Sequence, residues 1–161
     1  MKNLFIILLL TITKTIFSQN SVEILILDKI NEYRIENGVS ELIWCKDSYN
    51  AAKKHNKYLI KNKLITHREK SNTPTISSRL EYYGVEWYSC GENCTSTFYD
   101  LKDNDEQIAL SIFNSWRDSK THNENMLSEY TKCGISYGVG TLEEFGDDFV
   151  CNFSTIVFYT D

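Results

Sequence analysis

Two stretches near the end of the chain, 132–139 and 149–158, are rich in β-branched and aromatic residues and flank a loop rich in glycine and acid. Such a pair reads as two antiparallel strands. The chain before them has a different period. Ile24, Leu27, Ile30 and Tyr33 form a helical stripe over residues 22–36, closed by Gly38. Leu42 and Trp44 make a short apolar anchor. A second helix, capped by Asp47 or Ser48 and running to about Lys63, turns Tyr49, Ala52, His55 or Asn56, and Leu59 to one side. A third opens at Thr73-Pro74, where proline is tolerated in a first turn. It carries Ile76, Leu80 and Tyr83 and ends at Gly84. Residues 85–90 read as extended. A fourth helix over 105–119 turns Ile108, Ile112, Ser115 and Trp116 inward. Helices joined to antiparallel strands in this order imply an α+β layered domain.

The N-terminal segment sets the compartment. Lys2 precedes an apolar run, Leu4–Ile12, broken only by Thr11. The run is too short to span a bilayer and has the proportions of a secretory signal, cleaved between Ser18 and Gln19. Residues 1–18 are then a leader and 19–161 one domain, without linker or internal repeat. Losing Lys2 and Lys14 takes the net charge from −5 to −7. That argues against nucleic acid as a partner, since phosphate backbones call for a basic face.

Export changes the meaning of cysteine. Cys45, Cys90, Cys94, Cys133 and Cys151 read first as a disulfide framework. A zinc site of cysteines is the rival, but the spacings lack a CxxC pair. Cys133 and Cys151 lie on the two paired strands, which predicts a bridge between them. Cys45, Cys90 and Cys94 are left for one further bridge and one spare thiol.

The chain has three histidines. His55, mid-helix on an inner face, reads as a buried polar residue with its partners satisfied. His67 and His122 lie at the ends of elements, where a cleft could collect them. Glu92 stands in Gly91-Glu92-Asn93, between Cys90 and Cys94. Two neutral imidazoles and one carboxylate make a three-ligand divalent site with open positions, which zinc fits best. The same three groups also make a hydrogen-bonded knot in which Glu92 fixes an imidazole tautomer.

An ordered set of segments carries a resemblance. Asn31, Arg34, Gly38, Leu42 and Trp44 come first, then Ala51 and Ala52, then Thr66-His67. "GEN" at 91–93 follows, then "SWRDSKTHNENML", "YTKCGISYG" and "VCNF". Over residues 24–158 this order resembles the CAP superfamily of cysteine-rich secretory, antigen 5 and pathogenesis-related 1 proteins, in its bacterial SCP-like form. The resemblance implies a three-layer α-β-α sandwich with a small antiparallel central sheet and a cleft holding two histidines and two acids. By position these are His67, Glu92 and His122. The fourth place departs: Trp116-Arg117-Asp118-Ser119 puts a serine where many members have glutamate. The resemblance also implies divalent metal in the cleft and, in some members, small apolar ligands such as sterols or fatty acids.

Three functions compete on this basis. The first is a secreted, monomeric binding domain that takes a metal, an apolar ligand or both, without turnover. The second is a peptidase or esterase using Ser119, His122, Glu92 and His67. The absence of a Gly-x-Ser-x-Gly elbow counts against it. The third is a structural or envelope-interaction module with a vestigial cleft. Asn93-Cys94-Thr95 and Asn152-Phe153-Ser154 match the N-glycosylation pattern, but neither is expected to be modified.

Overall fold

The computed structural model describes residues 20–146 and 149–161. The expected leader, 1–18, and its cleavage point lie outside the described residues.

Among the described residues, five helices and four strands follow in the order α1 (Ser21–Glu36), β1 (Ile43–Trp44), α2 (Lys46–Asn62), α3 (Ile76–Tyr82), β2 (Ser89–Phe98), α4 (Asp105–Arg117), α5 (Lys120–Leu127), β3 (Lys132–Thr141) and β4 (Val150–Thr160). A short 3₁₀ turn at Glu143–Phe145 lies between β3 and β4. The sheet order is β1-β3-β4-β2. β3 and β2 pair antiparallel with β4, as the sequence predicts for β3 and β4. The two-residue β1 joins β3 in parallel, so the sheet is mixed rather than purely antiparallel.

β4 is the central strand and is buried from Cys151 to Tyr159. Successive strand residues face opposite sides, and its side chains divide accordingly. Ile156 and Phe158 pack with Val22, Ile26 and Ile30 of α1, Ile112 and Trp116 of α4, and Met126 of α5. Val157 and Tyr159 pack with Ala51 and Ala52 of α2 and Leu80 of α3. Phe153 packs with Leu59 of α2 and with Cys94. The result is three layers, with α1, α4 and α5 on one face and α2 and α3 on the other.

Two devices set the positions of α2 and α5. Gly134 lets α2 lie directly on β3, since a Cβ there would stand 2.0 Å from the Tyr49 backbone nitrogen. Arg34 leaves the end of α1 buried and donates to the carbonyls of Ser40, Met126, Ser128 and Tyr130 at 2.6–2.9 Å. It thereby ties α5 and the approach to β3 to α1.

Several expectations need correction. The buried face of α1 is Val22, Ile26, Ile30 and Arg34, while Ile24 is exposed; nearly every residue of that turn is apolar, so periodicity does not choose the face. α2 starts earlier, with Cys45 as its N-cap. The strand covers Ser89–Phe98 rather than 85–90, so Glu92 sits within it. α5 is an additional helix.

All five cysteines are free thiols. The strands of Cys133 and Cys151 do pair, but Cys133 faces Phe158 and Cys151 faces Gly140. These positions are seven residues apart on the ladder, or about 24 Å at ~3.4 Å per residue. A disulfide needs Cα atoms within about 7 Å. Cys45 and Cys90 stand on opposite edges of the sheet, three strand spacings or about 14 Å apart.

Candidate functional site

β2 is an edge strand, with β4 on one side only. Glu92 and Cys94 are two residues apart on it, so both side chains face the α2–α3 layer, whereas Asn93 between them faces α5. From this alternation the candidate site is built across the edge of the sheet, one part on each face of β2.

On the α2 side, four charged or titratable groups are buried together: His55, Glu69, Arg79 and Glu92. His55 Nδ1 lies 2.9 Å from Glu69 Oε1 and Nε2 lies 2.7 Å from the Thr66 carbonyl. Both ring nitrogens thus meet oxygen acceptors, the arrangement of a doubly protonated ring. Nε2 is also 3.6 Å from Glu92 Oε1. Arg79 donates through Nη2 to Glu92 Oε2, and its Nη1 is 3.5 Å from Glu69 Oε1. Two carboxylates are therefore matched by a guanidinium and an imidazolium. A buried set of charges is tolerated only when balanced in this way. Nε and Nη1 of Arg79 make no hydrogen bond.

His67 closes this group toward solvent. Its Nδ1 is 3.0 Å from Glu92 Oε1, and its side chain is 56% exposed. The hydrogen bond to Glu92 raises the His67 pKa against a smaller opposing effect of burial. Burial acts to raise the Glu92 pKa, but the His67 bond and the charges of Arg79 and His55 outweigh it and hold the carboxyl below its ordinary value.

His122 stands on the other face of β2, on α5. Asn93 Nδ2 donates to its carbonyl at 2.9 Å, and Asn125 Nδ2 donates to Asn93 Oδ1 at 2.8 Å and to the Glu92 carbonyl at 3.3 Å. The "EN" pair thus holds His67 with one residue and the His122 turn with the next. Burial, and then the charge of His67, lowers the His122 pKa.

The structure joins His67 directly to Glu92, whereas His122 is tied to the strand only through its backbone carbonyl, and its ring makes no hydrogen bond to His67 or Glu92 among the described residues. Ser119 is the N-cap of α5, and its hydroxyl makes no capping bond and none to His122. Asn93 and Asn152 are buried and hydrogen-bonded.

Among the described residues, one group offers three metal-ligand atoms all within 4.8 Å of one another: His55, Glu92 and Cys94. Sequence reading missed His55, Glu69 and Arg79 as partners of Glu92, and Cys94 as its neighbour. Arg79 did leave a signal, since it shares the inner stripe Ile76–Leu80–Tyr83 and a charge in such a stripe asks for a buried partner. Glu69, in a loop, left none.

Comparison with known proteins agrees with this architecture. The family described as the cysteine-rich secretory protein family, CAP, matches residues 27–153. The "Uncharacterized membrane protein YlbC" of Bacillus subtilis is 26% identical over 118 residues, which cover 73% of this chain but 32% of that protein. The chain thus spans about a third of that relative. An extracellular protein containing a SCP domain from Bacillus anthracis superposes with a TM-score of 0.68 at 22% identity, covering 89% of this chain and 41% of the other. An outer surface protein of Borrelia burgdorferi also gives 0.68, at 18% identity over 88% of this chain and 95% of its own. Among the described residues no helix is long and apolar enough to cross a membrane. The chain belongs to the CAP family of cysteine-rich secretory proteins, in its bacterial SCP-domain form.

Proposed function

We propose that this is an extracytoplasmic binding domain, working as a monomer without turnover, whose cleft mouth takes a divalent cation through His67 and His122. The observation that carries this reading is the 3.0 Å contact between His67 Nδ1 and Glu92 Oε1. A carboxylate accepting from one imidazole nitrogen fixes the tautomer and leaves the other nitrogen as a lone-pair donor. His67 Nε2 has no partner among the described residues and belongs to a half-exposed side chain. His122, with its pKa lowered, is neutral at pH 7 and ready to ligate. Glu92 serves as orienting carboxylate and as the nearest third ligand. Two imidazoles with a carboxylate suit zinc or another borderline ion, which bound there would act as a Lewis acid or a bridge to a ligand.

The extracytoplasmic placement rests on the leader-like N-terminus and on relatives described as extracellular or outer-surface proteins. Calorimetry with zinc between pH 7 and 5 tests the cation. Affinity should fall with pH, because a protonated imidazole is no ligand, and should be lost in a His67→Ala, His122→Ala double variant. A pH-independent affinity, or one unchanged in the double variant, refutes the mouth site.

A separate observation supports an apolar ligand such as a fatty acid or sterol. At the far end of β2, Phe98, Leu101, Phe149 and Val150 are exposed around a hollow of about 630 Å³. That lies within the usual range for small-molecule sites, about 300–1,000 Å³. Binding of a fluorescent fatty acid, weakened in Leu101→Asp, would support it; binding equal in both proteins would refute it.

A further inference from the structure

We propose that the buried group around Glu92 holds a second metal position, formed by His55, Glu92 and Cys94 and selective for thiophilic divalent ions, zinc above all. It goes beyond the mouth site and shares only Glu92 with it.

The three ligand atoms lie within 4.8 Å of one another, and all three residues are buried. Their proximity follows from the fold. Glu92 and Cys94 share a face of β2, and α2, which carries His55, is seated on the sheet at Gly134. A second, independent feature points the same way. His55 Nδ1 faces Glu69 Oε1 at 2.9 Å, and metal-binding imidazoles characteristically give their other ring N–H to a carboxylate. Glu69 is held in turn by Ser71 Oγ at 2.8 Å and by Arg79. Nε2 is then the ligand nitrogen. Arg79 occupies Glu92 Oε2, so Oε1, 3.6 Å from Nε2 and also accepting from His67 Nδ1 at 3.0 Å, is the ligand oxygen.

The charges also close. A neutral imidazole, a carboxylate and a thiolate sum to zero with a dication. Glu69 and Arg79 remain as a separate neutral pair, so the ion adds no net buried charge. There are two costs. Nε2 gives up its proton, and with it the hydrogen bond to the Thr66 carbonyl 2.7 Å away. The Cys94 thiol, which burial and the Glu92 charge keep protonated, loses its proton, as a coordinating thiol does. Sulfur also sets the selectivity, since magnesium and calcium take oxygen ligands.

Cobalt(II) titration of the full chain under reducing conditions tests this, because only a thiolate ligand gives an intense sulfur-to-cobalt charge-transfer absorption. The wild type should develop that band with one equivalent. Cys94→Ser and Cys94→Ala should lose it, and His55→Gln should weaken cobalt binding at least tenfold. Cys90→Ser should keep it. The His67→Ala, His122→Ala protein should also keep it while losing the zinc affinity of the mouth, so the two sites fail separately. Absence of the band in saturated wild type, or its persistence in folded Cys94→Ala, overturns the proposal; the wild-type result stands even if a variant fails to fold.

Discussion

Arg79 gives a guanidinium N–H to Oε2 of Glu92 with both side chains buried, and so decides which carboxylate oxygen faces His55 and His67. Removing the cation leaves Glu92 and Glu69 buried with only His55 to balance them. Breaking a buried pair from one side costs about 3–5 kcal/mol, while removing both partners costs less. Arg79→Met should therefore destabilise the fold by about that amount, and Arg79→Met with Glu92→Met should recover part of it. Urea unfolding at pH 7 measures both. A single variant within about 1 kcal/mol of wild type would mean that the pair is not formed as described.

Glu92 and His67 give opposite pH signatures. The Glu92 pKa lies below its ordinary 4.5, so its stabilisation is complete above that value and is lost as pH falls through the lower folded pKa. The His67 pKa lies above its ordinary 6.5, so its contribution is complete below 6.5 and is lost as pH rises through the raised value. His67 is half exposed and its contribution is screened; Glu92 should dominate. Stability should fall below about pH 4.5, and Glu92→Gln should flatten that limb. In NMR titrations of the metal-free protein, His67 should titrate above His122. Glu92→Gln should bring His67 down, and an unmoved His67 would contradict the 3.0 Å contact.

The cysteine register leads to a chemical test. Cys94, Cys133 and Cys151 are buried, while Cys45 and Cys90 are half-buried. Burial pushes the Cys133 thiol up to about 12, which makes it inert to alkylation. At Cys45 the effect of burial is outweighed by the Tyr159 hydroxyl at 3.1 Å and by the first backbone N–H groups of α2, and the thiol pKa is lowered. Without reductant, denatured protein should alkylate at all five positions. The native protein should react first at Cys45. A disulfide-linked peptide in the non-reduced digest would contradict the register.

The layered fold was legible because its elements are locally coded: Asn104 caps α4, Gly84 takes φ +73° after α3, and β3 and β4 are rich in β-branched and aromatic residues. The buried group around Glu92 was not. Gly91-Glu92-Asn93 has poor strand propensity, and it becomes strand because β4 offers a ladder partner to every residue from Ser89 to Phe98. α5 has one buried residue, Met126, and is placed by Arg34 from a distant helix. His67 and His122 could be named from their segments, but Glu69 reaches His55 only through the folded loop, where its backbone N–H meets the Pro74 carbonyl. Such contacts leave no periodic trace.

Gly134 connects the packing to the site. The space where its Cβ would stand is taken by the backbone of Ser48 and Tyr49, at 2.0–2.4 Å. Backbone cannot rotate away as a side chain can, so Gly134→Ala must lift the start of α2 from β3. Overpacking a core ordinarily costs about 1–3 kcal/mol, and a clash with main chain should reach or exceed the upper end. Gly38→Ala has open space around its Cβ and is strained only by φ +75°, so it should cost about 1 kcal/mol. α2 also carries His55, and any lift shifts its ring relative to Glu92. Gly134→Ala should therefore lower the urea midpoint far more than Gly38→Ala. It should also move the His55 imidazole resonances in the fraction that remains folded. Equal midpoints, or an unchanged His55 spectrum in Gly134→Ala, would show that α2 does not rest on the sheet at this point.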